Sequence, residues 1–157
     1  GRRRSLAVMH DTAEQADFRA SIRRWVDAEV LPHVAAWDEA GAFPRALYRR
    51  AAALGLLQLG YPEPLGGTPC SLAWRLVAAE ELARTGAGGL LASLFSHNIA
   101  LPPLVAQGSA ALQQRVVPPV LAGEAVAALA VTEPGGGSDV ARLRTSARRD
   151  GDHWVVD

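Results

Sequence analysis

Residues 131–139 hold the densest group of side chains and backbone positions able to do chemistry. The run Val131-Thr132-Glu133-Pro134-Gly135-Gly136-Gly137-Ser138-Asp139 sets three consecutive glycines between a threonine and a serine. Glycine has no Cβ, so the backbone amides of such a run can approach a bound group closely. The Ser138 hydroxyl and Asp139 carboxylate stand next to them. Two Gly-rich chemistries are excluded. A phosphate-cradling P-loop ends in Gly-Lys-Ser/Thr, and this chain has no lysine. The dinucleotide fingerprint needs another glycine where Val140 stands, inside a βαβ unit, and neither is present. By composition alone the run fits a flexible surface loop or a ligand-holding one.

The other candidates read more simply. His97-Asn98 sits in an apolar helical stretch, where a histidine is usually an interior residue with its hydrogen bonds satisfied. His33, just after Pro32, reads as a helix-terminus residue. Cys70 is the single cysteine, which rules out an internal disulfide and a multi-cysteine metal site. No histidine partners it in an identifiable nucleophile motif, so it reads as a loop residue. Trp25, Trp37 and Trp74 at helical positions read as core or interface anchors. Arg142, Arg144, Arg148 and Arg149 read as a solvated strand face, with attraction of a phosphate as the alternative. No metal site is expected.

These groups need elements to position them. Asp11 followed by Glu14 makes a capping pair, and Phe18, Ile22, Trp25 and Val26 form a helical stripe expected to end near Pro32. A second helix is expected from about Pro44, with Leu47, Ala51 and Leu54 buried up to about Leu57. The Pro/Gly-rich stretch from Tyr61 to Pro69 is a loop. A long helix follows from about Ser71, with Leu72, Leu76, Ala79 and Ala83 on one face, interrupted at Gly86 to Gly89. Two shorter helices are expected over Leu90 to Gln107, broken at Pro102 and Pro103, and over Ser109 to Leu121, with Gly123 placed as a C-terminal stop. After Glu124 the period changes. Ala125 to Thr132 and Leu143 to Arg149 read as strands, Asp150-Gly151 as a hairpin turn, and His153 to Val156 as a third strand. The fold class is α+β: an all-α N-terminal domain followed by the first strands of a β-barrel-like middle domain. Residues 1–10 read as a disordered tail, 11–124 as the helical domain, and 125–157 as the truncated beginning of the β domain.

Composition sets the outer limits. Hydrophobic residues are 49% of 157, enough to bury a core without staples. The 16 basic and 16 acidic residues cancel, which argues against nucleic acid, since that partner demands a positive footprint. No apolar run is expected to reach the roughly 18 to 20 residues that span a bilayer. All 16 basic residues are arginine and 30 residues are alanine, a bias that fits a GC-rich bacterial genome and a cytoplasmic protein.

Read as a whole string, Thr-Glu-Pro-Gly-Gly-Gly-Ser-Asp after an apolar strand resembles the middle-domain signature of acyl-CoA dehydrogenases. Gly136 stands where that family often has Ala. Gly55-Leu56-Leu57, Tyr61-Pro62-Glu63 ahead of Gly66-Gly67, and Glu80-Glu81-Leu82-Ala83-Arg84 resemble the helical domain of the same family. Arg144-Thr145, Asp150-Gly151-Asp152 and Trp154-Val155-Val156 resemble the strands after the signature. The resemblance covers residues 11 to 157, about two fifths of a family member. It implies FAD as cofactor and an acyl-CoA thioester as substrate, with Leu129, Ala130, Val131, Thr132, Gly137 and Ser138 along the flavin. Thr132 would offer its hydroxyl and amide to the isoalloxazine ring, and Ser138 would hydrogen-bond the pantetheine or phosphate end of the substrate. Fixed donors there suit a ring that gains negative charge on accepting hydride. His97-Asn98 facing the acyl pocket is the alternative to an interior role.

The catalytic Glu of that family is expected outside this chain, so no residue here is assigned as base, including Glu80, Glu81 and Glu133. The resemblance implies α,β-dehydrogenation, electron transfer to an electron-transfer flavoprotein, and a homo-oligomer, dimer or tetramer. The alternatives are an acyl-CoA oxidase, a flavin monooxygenase-like relative, or a non-catalytic truncated interaction module. The 157 residues alone are expected to be inactive.

Overall fold

The computed structural model describes residues 11–157; the tail expected over residues 1–10 lies outside them. These residues form two compact units, residues 11–127 and Ala128–Asp157. The first is helical and the second carries a two-stranded antiparallel sheet.

Helix α1 spans Ala13–Trp25. Its N-terminus is closed by a reciprocal capping box in which the Thr12 hydroxyl accepts from the Gln15 amide (3.2 Å) and Gln15 Oε1 accepts from the Thr12 amide (2.9 Å). The box lies one residue beyond the expected Asp11/Glu14 pair, because the Asp11 carboxylate is taken by the Arg19 guanidinium. The chain also does not stop at Pro32. A π-turn over Val26–Val30 lets the Leu31 amide reach Val26 O, and a 3-10 turn over Leu31–His33 follows. The amide that proline lacks is thus placed where the α-helical ladder is already broken. Helix α2, Val34–Ala40, continues to Gly41, whose φ of +63° ends it. Ile22, Val26 and Val30 are fully buried, each contributing about 1.5–3 kcal/mol of transfer free energy.

Helix α3 spans Ala46–Ala53 and buries Leu47, Ala51 and Ala52. Helix α4 spans Leu72–Ala83 and packs on α1. Its stripe of Leu72 and Leu76 turns out to be an exposed face, while Val77, Ala78, Glu81 and Leu82 point inward. The inward choice is fixed by Glu81. Its carboxylate, 1% exposed as a residue, receives Arg23 (2.7 and 2.9 Å), Arg19 (3.2 Å) and Arg84 (3.4 Å). Arg23's hydrogen bonds, with Arg19 and Arg84 adding to them, hold this carboxyl below the ordinary carboxylate range against the opposing effect of burial.

Helices α5 (Gly88–Leu94) and α6 (His97–Gln107) are separated at Phe95-Ser96, not at the prolines. Pro102 and Pro103 both lie on the exposed side of α6, so the hydrogen bonds they forgo are lost where water can replace them. Taken by length and composition, Gly88–Gln107 (mean hydropathy 1.3) is long and apolar enough to cross a membrane. That corrects the expectation of no such run, though the turn at Phe95-Ser96 divides it into helices of 7 and 11 residues. Helix α7, Ala110–Leu121, is capped by Ser109 and contains Pro118 and Pro119. Gly123 follows it at φ +72°, and a Cβ there would collide with the Tyr48 carbonyl.

In the second unit, strands β1 (Ala147–Asp150) and β2 (His153–Val156) pair from Ala147↔Val156 to Asp150↔His153. Gly151, at φ +59°, makes the two-residue turn with Asp152. The strand expected over residues 125–132 does not form: the Ala125 amide is taken by Pro119 O at the end of α7 and the residues after it join no ladder among the described residues, and of the strand expected over Leu143 to Arg149 only the part from Ala147 pairs.

Candidate functional site

The six residues expected along a flavin, Leu129, Ala130, Val131, Thr132, Gly137 and Ser138, all fall in the second unit. Leu129 to Thr132 belong to no helix or strand, and Leu129 is half exposed. The segment ends in a tight turn at Pro134-Gly135, closed on both sides by Glu133 N–H to Gly136 O (2.8 Å) and Gly136 N–H to Glu133 O (3.1 Å). That turn folds Gly137 back over Thr132. A Cβ built on Gly137 would lie 3.7 Å from Thr132 Cγ2 and 3.8 Å from Oγ1. Thr132 and Gly137 are therefore brought together, and Ser138 follows them as an exposed residue.

The three glycines are not explained by their own fold. None of Gly135, Gly136 and Gly137 has a positive φ. A Cβ would meet nothing within 4 Å at Gly135 and only Asp139 O, at 3.9 Å, at Gly136. The backbone would accept side chains at all three positions, so their absence leaves a bare surface that three methyl groups would occupy. Leu129 to Thr132, with Gly137 and Ser138, make no hydrogen bond among the described residues. Amides, carbonyls and two hydroxyls are thus available to an outside group at the place where side chains are missing. That donor set fits a planar, hydrogen-bonding ring edge and the polar arm of a thioester.

Glu133, inside the signature, has a different role. Its carboxylate accepts from the Arg144 amide (2.9 and 3.2 Å) and the Thr145 amide (2.7 Å). The Thr145 side chain, then these two amides, hold the carboxyl below its ordinary range. It pins the far end of the loop, through the 3-10 turn Val140–Arg142, back to the turn. Nothing in the sequence signals this contact, because its partners are backbone groups eleven and twelve residues away. Of the expected basic face, Arg148 pairs with Asp150 (3.6 Å) and Asp157 (3.9 Å) in the open.

In the first unit His97 is buried, with Nε2 3.1 Å from Leu57 O. Burial pushes its pKa below the ordinary value, with hydrogen bonds to the Leu57 and Leu94 carbonyls opposing. This is the satisfied interior histidine that the sequence favours. Tyr61 donates to His97 O (3.0 Å), and burial raises its phenol to about 12. Cys70 lies in a loop, and no group of three metal-ligating side chains occurs among the described residues.

The acyl-CoA dehydrogenase N-terminal domain family matches residues 12–124. The chain belongs to the acyl-CoA dehydrogenase family. It is 36% identical over 156 residues to the mitochondrial long-chain specific acyl-CoA dehydrogenase of Sus scrofa, covering 99% of this chain and 35% of that protein. A solved structure from Mycobacterium smegmatis described as a putative acyl-CoA dehydrogenase superimposes with a TM-score of 0.87 at 48% identity, covering 93% of this chain and 39% of that one. The acyl-CoA dehydrogenase of Bacillus anthracis, solved in complex with FAD, superimposes at 0.80 with 28% identity, over 94% of this chain and 26% of that one. The chain spans about a third of the length of the curated relatives it matches.

Proposed function

We propose that this chain is the N-terminal part of an FAD-dependent acyl-CoA dehydrogenase that desaturates an acyl-CoA thioester between its α and β carbons. Residues 11–124 form the helical domain and residues 125–157 open the flavin- and acyl-CoA-binding β domain. The observation that carries this reading is the bare turn: three glycines that neither φ nor neighbours require, beside hydrogen-bonding groups with no partner of their own. When bound, FAD supplies the acceptor for the hydride that leaves the β carbon.

The chain's own residues bind and orient. The Thr132 hydroxyl and amide would hold the ring edge, with Leu129, Ala130 and Val131 leading up to it and Gly137 keeping the space above Thr132 clear. Ser138 would hydrogen-bond the pantetheine or phosphate end of the substrate. Preset donors of this kind stabilise developing charge without reorganising. Glu133 is occupied with two amides and Glu81 with three arginines, so neither is assigned as the base. The wider reading includes electron-transfer flavoprotein as electron acceptor and a homo-oligomeric assembly. A bacterial cytoplasm belongs to the same reading, and rests on the bias to arginine and alanine.

The test is an anaerobic titration of the FAD-loaded protein carrying this chain with acyl-CoA esters of increasing length. The flavin band is expected to bleach with at least one of them. Unchanged absorbance across the series overturns the reading, and peroxide formed in air during turnover would redirect it to an oxidase.

A further inference from the structure

Glu133 uses its backbone and its side chain in opposite directions. Its N–H and C=O close the glycine turn with Gly136 (2.8 and 3.1 Å). Its carboxylate accepts from the amides of Arg144 (2.9 and 3.2 Å) and Thr145 (2.7 Å). The residues between are drawn into a ring, with the turn at one end and the 3-10 turn Val140–Arg142 at the other. Gly137 and Ser138 join the two turns. Beyond the ring, Thr145 leads into Ser146, which pairs with Asp157 (2.9 and 3.1 Å) at the base of the β1–β2 hairpin. Among the described residues, the hydrogen bonds of this carboxylate are the only ones that cross from residues 128–143 to residues 144–157.

Hydrogen bonds from backbone amides to an ionised carboxylate are stronger than those between neutral groups, and closing a loop at both ends removes most of its freedom. Without the carboxylate, the turn would hang from residues 128–132, which join no ladder. Ser138 lies between the two tied turns, so its place follows from theirs. We infer that Glu133 is a positioning residue for the acyl-CoA arm: by tying the glycine turn to Arg144 and Thr145 it sets where Ser138 stands. Its oxygens are spent on amides, so it acts through the loop and touches neither flavin nor substrate. The part given to Ser138 rests on the dehydrogenase reading above; the ring itself does not.

The experiment has two arms on the FAD-loaded protein carrying this chain. The first measures calorimetric binding of free CoA, which needs no turnover. Glu133→Ala is expected to weaken it by about tenfold, with Glu133→Gln, which keeps a neutral acceptor, in between. The double variant Glu133→Ala with Ser138→Ala should bind CoA no more weakly than the weaker single variant, because both changes remove the same contact. The second arm measures turnover of the acyl-CoA that bleaches the flavin best and of the matching acyl-N-acetylcysteamine, which lacks most of the arm. In Glu133→Ala the KM for the acyl-CoA should rise about tenfold with kcat within about twofold, and the short thioester should show no such rise. Unchanged CoA binding, additive losses in the double variant, or equal KM rises with both thioesters overturns the positioning role. So does loss of flavin from both Glu133 variants, since the carboxylate would then hold up the whole turn. A wild-type protein that binds CoA but bleaches with no acyl-CoA breaks the dehydrogenase reading, and a Glu133 effect on CoA binding then leaves the positioning role standing.

Discussion

The two units handle their polar groups in opposite ways. In the helical unit the demanding groups are consumed internally. Glu81 is surrounded by arginines, His97 and Tyr61 bond to buried carbonyls, and Thr12 and Gln15 satisfy one another. In the second unit almost every residue is exposed, and apart from the β-hairpin the main internal tie is the Glu133 clamp. In the proposed reading the site is therefore not marked by strongly perturbed carboxylates but by the groups left over: free amides, bare glycines and unpaired hydroxyls.

Breaking the internal economy of the helical unit should have the largest effect. Glu81→Ala leaves Arg19, Arg23 and Arg84 facing one another without their shared carboxylate, and unfolding in urea should show a loss of about 2 kcal/mol or more. The figure sits below that for a fully buried pair because the arginines still reach water. The same carboxyl gives a pH signature. Its pKa is lowered in the folded state, so its stabilisation is complete above the ordinary carboxylate value and disappears as pH falls through the folded value. Glu81→Gln should flatten the acid limb of stability against pH; a limb left unchanged would mean other groups drive acid unfolding.

A backbone change comes next. Gly123→Ala puts a Cβ at φ +72° and against the Tyr48 carbonyl, costing about 2 kcal/mol by the same unfolding measurement. Wild-type stability in this variant would show that the α7 terminus is not packed on α3 as described.

Smaller, and confined to the second unit, is the clamp. Glu133→Gln should speed hydrogen exchange at the Arg144 and Thr145 amides while the helical unit's protection stays the same. In the wild type those two amides should lose protection as pH falls through the lowered Glu133 value. Exchange rates indifferent to both changes would remove the clamp.

The smallest structural effect belongs to the bare turn. Gly135→Ala and Gly136→Ala should leave stability within about 0.5 kcal/mol, since a Cβ has room at both. Flavin retention should nonetheless weaken, by about tenfold if one methyl group intrudes on the bound ring. Full flavin affinity in both would falsify the claim that the glycines clear space for it.

Where the sequence was readable, local chemistry decided the structure. Gly123 announced a helix stop, Asp150-Gly151 a hairpin, and Pro44 the approach to α3. It misled where a distant partner intervened. Asp11 looked like a cap until Arg19 claimed its carboxylate, and the inward face of α4 was set by Glu81 finding arginines on α1. Leu72 and Leu76 looked like core because hydrophobic spacing carries no sign: it identifies a face without saying which side of the helix is buried. Pro102 and Pro103 looked like breakers because the sequence does not say whether the lost hydrogen bonds face water. The glycine-rich run was legible as a place for chemistry, but the Glu133 clamp is assembled from backbone groups eleven and twelve residues away and left no local trace.

The π-turn at Val26–Val30 acts as a screw joint. Each residue of an α-helix advances the thread by about 100°, and the wide turn takes up one residue more than the thread allows. Deleting a single residue there would restore an unbroken helix at the expense of orientation, turning α2 and everything mounted on it by nearly a third of a revolution. Val34 and Trp37 would then face away from the core they now pack against. The joint sets the rotational phase of the next segment, so its length tolerates change less well than the identity of its solvent-facing residues.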